Sequence, residues 1–281
     1  MGEKMRNTSI LVSAAIPLFL ISALFSQEPA PPPTGGGPAA YPAKMIREDA
    51  AAGLELWQTM LGDLWIPRPG VWVIKHLQWE QAIEKVYYQT EVHVRRGDVV
   101  IDCGAHIGGF TRTALGLGAS LVVAIEPEPA NIRAFRKNLA QELANGRVRL
   151  VEKGIFDKPG KLVLHLSESG DAHSVVEQRK GPGSVEIEVV TLDSLVDTLK
   201  LQRVDFVKMD IEGAETSALR GARRLLKQFK PRLALSAYHE KGDPAAIAAL
   251  VWEGRPDYLV ESKDLVKGPE GSSVPKVLFF R

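Results

Sequence analysis

The chain has 281 residues, 45% of them hydrophobic and 25% charged, the proportions of an ordinary globular protein. Its 35 lysines and arginines against 34 aspartates and glutamates leave a net charge of +1, which argues against a dedicated nucleic-acid binder, whose affinity rests on clustered positive charge. A single cysteine, Cys103, excludes an intramolecular disulfide and any multi-cysteine zinc site.

No residue between Arg6 and Glu28 is charged, and Ile10–Phe25 is strongly apolar behind Lys4 and Arg6. Residues 1–27 therefore read as either a secretory signal or a short membrane anchor. The bulky residues around Ala23 to Ser26 make a poor cleavage pattern, so both readings stay open. The positive flank favours a cytoplasmic N-terminus with the remainder outside. A membrane-associated or exported protein is expected, with the side of the membrane open. Residues 28–43 follow, with six prolines and three glycines among the fifteen positions from Pro29 to Ala43. That composition buries too little apolar surface to repay ordering and reads as an extended spacer. What remains is the length of one α/β domain.

Residues 44–97 are expected to form an N-terminal helical cap, because Met45, Ala52, Leu56 and Met60 are spaced for one helix face. Trp57, Trp65, Trp72 and Trp79 lie in or near it and read as packing of the cap rather than as a pocket lining. From residue 98 to 281 the pattern is regular. Val99–Ala105 is a continuous apolar run, as a strand buried on both faces should be. A glycine turn and a helix-like stretch follow, then a second strand over Leu121–Pro127, a helix over Pro129–Leu143 and a third strand over Val148–Ile155. Lys161–Leu166 and Val185–Leu192 read as an antiparallel excursion. Val204–Ile211 is a fourth core strand, with a helix after it through about Lys227. Arg232–Tyr238, a helix over Pro244–Trp252, and strands at Tyr258–Glu261 and Lys276–Arg281 complete the domain. Alternating strands and helices predict a doubly wound, mostly parallel Rossmann-like sheet with an antiparallel final strand, and ligands bind such sheets beyond the carboxyl ends of the strands.

The first strand ends in Asp102-Cys-Gly-Ala-His-Ile-Gly-Gly109. Gly104 and Gly108 allow positive φ and a close backbone approach. Glu126 closes the second strand, 22 residues beyond Gly104, where a carboxylate can accept hydrogen bonds from both ribose hydroxyls. A nucleoside-containing cofactor is the natural reading. A dinucleotide would need G-x-G-x-x-G to seat its pyrophosphate, and the central glycine is replaced by His106. S-adenosylmethionine carries no phosphate, and its cationic parts suit Asp102 as its ribose suits Glu126.

VVIDCGAHIGGFT with AIEPEPANIRAFRKNL resembles the first cofactor motif of class I methyltransferases and its successor. Val190–Leu195, FVKMDIEGAE at Phe206–Glu215 and LSAYHEKGD at Leu235–Asp243 narrow the resemblance to the FkbM family, from about Asp98 to about Tyr258. The resemblance implies S-adenosylmethionine as cofactor and O-methylation of a sugar, glycan or natural-product hydroxyl. Asp102, Gly104, Ala105, Gly108, Glu126 and Pro127 sit on its cofactor motifs. Asp157 falls where it could approach the adenine, or simply in a turn with Lys158-Pro159-Gly160. His106 departs from the asparagine more usual in the family.

Methyl transfer to a hydroxyl needs alignment and removal of a proton. His239, at the end of the fifth strand, is the candidate base, with Glu240 or Asp210 to orient it. Lys208, Asp210 and Glu212 alternate, so a strand would place them on one side, serving either catalysis or an ion-pair network. Asp210, Glu212 and His239 could hold a hard metal, yet no ligand spacing demands one and none is expected. His173 and Ser174 read as a surface loop, with a place beside the acceptor as the alternative. His76, His93 and His165 read as structural or solvent-facing, and Cys103 as a small core residue. A nicotinamide-dependent oxidoreductase and an inactive tethered nucleoside-binding module are the rival readings. The acceptor's identity and the oligomeric state stay open.

Overall fold

The computed structural model describes residues 43–167, 172–176, 183–267, 271 and 273–281. The apolar segment 1–27 and all but the last residue of the spacer 28–43 lie outside the described residues. No helix among the described residues is long and apolar enough to cross a membrane.

The cap is not helical where a helix was expected. Residues 44–67 form a three-stranded antiparallel sheet, β1 (Lys44–Asp49), β2 (Leu54–Thr59) and β3 (Gly62–Pro67). The presumed helix face does not exist, since Met45 and Met60 are 48% and 52% exposed. Gly53 and Gly62, at φ +67° and +85°, turn the chain between the strands, a conformation that costs glycine little. Helix α1 (Val71–Gln78) follows and runs into a π-helical turn at Trp79–Glu84. Trp57 and Trp65 pack around Leu54, Leu64, Ile66 and Ile74, as the packing reading expects, whereas Trp72 is 56% exposed and does not.

The main domain begins with β4 (Val99–Cys103), α2 (Gly109–Gly116), β5 (Leu121–Ile125), α3 (Pro129–Asn138), the short α4 (Ala140–Ala144) and β6 (Val148–Val151). Glu128 caps α3 by accepting the Asn131 N–H, and Pro129 occupies its first turn, where no N–H is missed. The single third strand expected over Val148–Ile155 is split. Its end, β7 (Gly154–Ile155), leaves the main sheet and pairs with an antiparallel hairpin of β8 (Gly160–Leu166) and β9 (Gly183–Val190). Next come α5 (Leu192–Thr198), closed by a Thr191–Ser194 capping box, β10 (Phe206–Met209), α6 (Glu215–Arg220) and α7 (Arg223–Phe229). The break between α6 and α7 falls at Gly221, where a Cβ would lie 2.5 Å from the Phe156 carbonyl oxygen. Strand β11 (Arg232–Ser236), α8 (Asp243–Gly254), β12 (Val260–Lys267) and β13 (Ser273–Phe280) complete the chain.

The seven-stranded sheet runs β12-β13-β11-β10-β4-β5-β6. The five strands from β11 to β6 are parallel, and β13 is antiparallel to both its neighbours, as the sequence pattern predicts for the final strand. Ile101, Cys103, Val123 and Ile125 face a core closed by α5 to α8. Val100, Val122 and Ala124, one residue out of phase, face the opposite core under α2 and α3. With both faces covered, the exposed functional edge is the row of carboxyl ends of β4, β5, β10 and β11.

Candidate active site

A cavity of about 330 Å³ opens at that row of strand ends. Its lining comes from three directions. The strand ends give Gly104, Ala105, His106, Glu126, Pro127, Lys208, Asp210, Glu212 and Tyr238. The cap gives Val73, His76, Leu77, Glu80 and Gln81, and the hairpin beside β7 gives Leu164, His173, Ile187 and Val189.

At one end, the Glu126 carboxylate is buried and pinned by main chain. The His106 N–H donates to Oε2 (2.8 Å) and the Glu128 N–H to Oε1 (3.0 Å), with the Asn131 amide at 3.4 Å. Burial raises the Glu126 carboxyl to about 7 despite those donors. The Asn131 Oδ1 beside it is buried without a hydrogen bond among the described residues. A buried acceptor and a pinned carboxylate on one cavity wall form a site for a ligand's hydroxyl donors.

Asp102 does not reach the cavity. Its side chain is 0% exposed, accepts the Thr111 hydroxyl (2.7 Å) and lies 3.3 Å from Lys208 Nζ. The reason is register: Asp102 and Lys208 are Cα partners on the adjacent parallel strands β4 and β10, so their side chains leave the sheet on one face. Lys208 then donates to the Gly104 carbonyl oxygen (2.7 Å) and fixes the glycine turn from below. The expected direct contact of Asp102 with a cofactor is thus replaced by a support. Gly104 and Gly108 sit at φ +75° and +95°, as expected. What crowds Gly104 is protein, however: a Cβ there would lie 1.9 Å from the Asp210 carbonyl oxygen. Gly108 is not part of the cavity wall and packs on Leu139 and Phe135. Asp157 is also outside the wall, exposed in the bend that leads into β8.

At the other end, Asp210 accepts the Tyr87 hydroxyl at Oδ2 (2.7 Å). Burial would raise its carboxyl, but the charges of Lys208 and His239 and the Tyr87 hydrogen bond outweigh it and hold Asp210 at about 2. The His239 side chain is 5% exposed and sits behind this wall rather than in it. Its Nδ1 is 3.1 Å from Glu215 Oε1, and its Nε2 is 3.6 Å from both Asp210 Oδ1 and Glu212 Oε1. Burial works against charge on the ring, yet the Glu215 hydrogen bond and three carboxylates raise its pKa to about 10. Those carboxylates favour the imidazolium, which has no lone pair with which to act as a base, as long as no other cation occupies the site. The residue that orients it is Glu215, fully buried and held by the N–H groups of Ile211 (2.9 Å) and Gly213 (3.0 Å). Glu240, the other expected orienting group, lays its carboxylate against Gly213 and gives its N–H to Asp243.

Glu215, His76 and Glu80 escaped sequence reasoning. Glu215 had a signal, the third carboxylate of Asp210-Ile-Glu-Gly-Ala-Glu215, but the strand stops at Met209 and Glu212 turns at φ +54°, which brings Glu215 back under His239. His76 and Glu80 reach the cavity only because the cap folds over it. His173 lines the cavity too, with Nδ1 accepting the Ser167 N–H (2.9 Å), which favours the acceptor-flanking alternative over the surface-loop one. Asp210, Glu212 and His239 each place one ligand atom within 4.8 Å of the other two, a cluster that residue spacing alone did not demand.

This strand order, with a cavity beyond the parallel strand ends and a pinned carboxylate after β5, defines the chain as a class I methyltransferase fold. The crystal structure of methyltransferase FkbM from Methylobacillus flagellatus KT is similar in fold, 23% identical with a TM-score of 0.51, over 75% of this chain and 54% of that one. The Methyltransferase FkbM domain matches residues 102–257, and the chain belongs to that family. It is 25% identical over 187 residues to the hexuronic acid methyltransferase AglP of Haloferax volcanii, covering 66% of this chain and 73% of that protein. To the 2-O-methyltransferase NoeI of Sinorhizobium fredii it is 26% identical over 164 residues, covering 52% and 66%. The protein is a methyltransferase dependent on S-adenosylmethionine, and the nicotinamide reading is set aside.

Proposed function

We propose that the protein methylates a hydroxyl of a sugar or glycan. The observation that carries this reading is the division of the cavity into a hydroxyl-accepting end at Glu126 and Asn131 and a strongly polar end at Lys208, Asp210 and Glu212. Relatives named for a hexuronic acid and for a 2-O position support the acceptor class.

S-adenosylmethionine, when bound, supplies a methyl group on a positively charged sulfur. Glu126 would accept its ribose hydroxyls, and Asn131 Oδ1 offers a further acceptor beside them. Ala105, His106 and Pro127 wall that end, and Lys208 holds the Gly104 carbonyl so that the turn keeps its shape. Asp210 and Glu212 keep negative charge at the acceptor end, and the apolar Leu77, Leu164 and Ile187 elsewhere in the cavity wall limit water. His239 acts as a positioning residue for those carboxylates, not as the free base.

Calorimetry with S-adenosylmethionine, followed by a screen of uronic acids and nucleotide-linked sugars with mass-spectrometric readout, tests the proposal. A methyl ether on a sugar hydroxyl is the expected product. Tight cofactor binding with no transfer to any sugar would favour the inactive binding module. From the apolar run Ile10–Phe25 we further infer a membrane tether or an exported domain, to be read from protease accessibility in intact and lysed cells.

A further inference from the structure

His239 Nε2 lies 3.6 Å from Asp210 Oδ1 and 3.6 Å from Glu212 Oε1. Those gaps are too long for hydrogen bonds. They match two ligands of a single ion about 2.1 Å from each, at an angle of roughly 110–120°. The His239 side chain is 95% buried, and its Nε2 has no hydrogen bond among the described residues; nor does Asp210 Oδ1, which faces it. Buried polar atoms that face one another without bonding imply a missing partner between them.

The rest of each group is already fixed. Glu215 holds His239 Nδ1 at 3.1 Å, and the Tyr87 hydroxyl holds Asp210 Oδ2 at 2.7 Å. A ligating imidazole whose second nitrogen is held by a carboxylate is the outer-shell pattern of metal sites. Building on the methyl-transfer reading, we propose that Asp210, Glu212 and His239 bind one divalent metal ion, of the Mn2+ or Zn2+ class that accepts mixed imidazole and carboxylate donors. Asp210 and Glu212 line the cavity, so the ion's open positions face the acceptor. A four- or five-coordinate ion would keep one or two of them, enough for at least one hydroxyl of a sugar. The ion lowers the pKa of a hydroxyl that it ligates, and the proton leaves to water.

The test is titration of Mn2+ into the chelator-stripped full chain, followed by electron paramagnetic resonance. One Mn2+ per chain is expected, displaced by Zn2+, with affinity at least tenfold weaker in Glu212→Gln and in His239→Gln. Glu212 lies at the cavity wall, so Glu212→Gln serves if His239→Gln does not fold, as judged by circular dichroism. Equal Mn2+ affinity in wild type and Glu212→Gln overturns the proposal. S-adenosylmethionine binding measured in chelator separates the two readings. Cofactor bound without any specific Mn2+ site removes the metal alone, whereas no cofactor binding removes the methyl-transfer reading beneath it.

Discussion

Burial holds the Glu126 carboxyl at about 7, and two main-chain N–H groups aim it into the cavity. As the proposed ribose acceptor, it works best ionised. Cofactor affinity should therefore rise as pH increases from 6 to 8 and level off above, with proton release on binding visible by calorimetry in buffers of different ionisation heat. The same group acts oppositely on the cofactor-free fold. Its folded pKa is above the unfolded carboxyl value, so its contribution to stability is present at low pH and is lost as pH rises through about 7. Glu126→Ala should weaken S-adenosylmethionine by about 1.5–3 kcal/mol, the scale of hydrogen bonds to a charged group. The Asp102–Lys208 pair makes a separate prediction. Lys208→Met leaves a buried carboxylate uncompensated and should cost about 3–5 kcal/mol in denaturant unfolding, while adding Asp102→Asn recovers much of the loss. Asp102 was legible as important from its place before the glycine turn. Its role was not, because only the strand register shows that it faces Lys208 instead of the ligand.

Among elements, the loop between β4 and α2 is set by its contacts on both sides. Gly104→Ala would drive a Cβ into the Asp210 carbonyl oxygen while also straining a positive φ, and should destabilise the fold by about 3 kcal/mol or more in thermal or urea unfolding. The cap is fastened at the next helix. Arg112 of α2 donates to the carbonyl oxygens of Leu61 and Asp63 (both 3.0 Å) and of Asn138 (2.9 Å), and Asn138 bonds the Trp65 main chain and the Ile107 carbonyl oxygen. Arg112→Ala should raise amide exchange across residues 54–67 well before it affects β5. The five parallel strands were readable because two covered faces demand continuous apolar runs such as Val99–Cys103 and Leu121–Ile125. The cap was not. Its strands are short and half-exposed, so Met45, Ala52, Leu56 and Met60 mimicked a helix face, while Gly53 and Gly62 marked the turns that the spacing concealed.

At the scale of the molecule, the cavity is a joint product of sheet, cap and hairpin, which explains why its Glu126 end was legible and its opposite end was not. The first depends on motifs at strand ends. The second depends on how two elements distant in sequence fold over them, bringing in His76, Glu80 and His173. If residues 1–27 are an anchor, the full chain should sediment with membranes and a chain starting at residue 43 should be released with its thermal midpoint and cofactor affinity unchanged; if they are a signal, the full chain should appear cleaved and outside the membrane fraction. The position of β13 bears on how the protein is made. It pairs with β11 on one side and β12 on the other, and Phe279 and Phe280 are fully buried. During synthesis β12 emerges first and has no sheet edge to join, while β11 keeps an open edge until residues 273–280 leave the ribosome. The edge of β11 is therefore open to aggregation and chaperone capture until residues 273–280 are translated, however early the cofactor motif emerges.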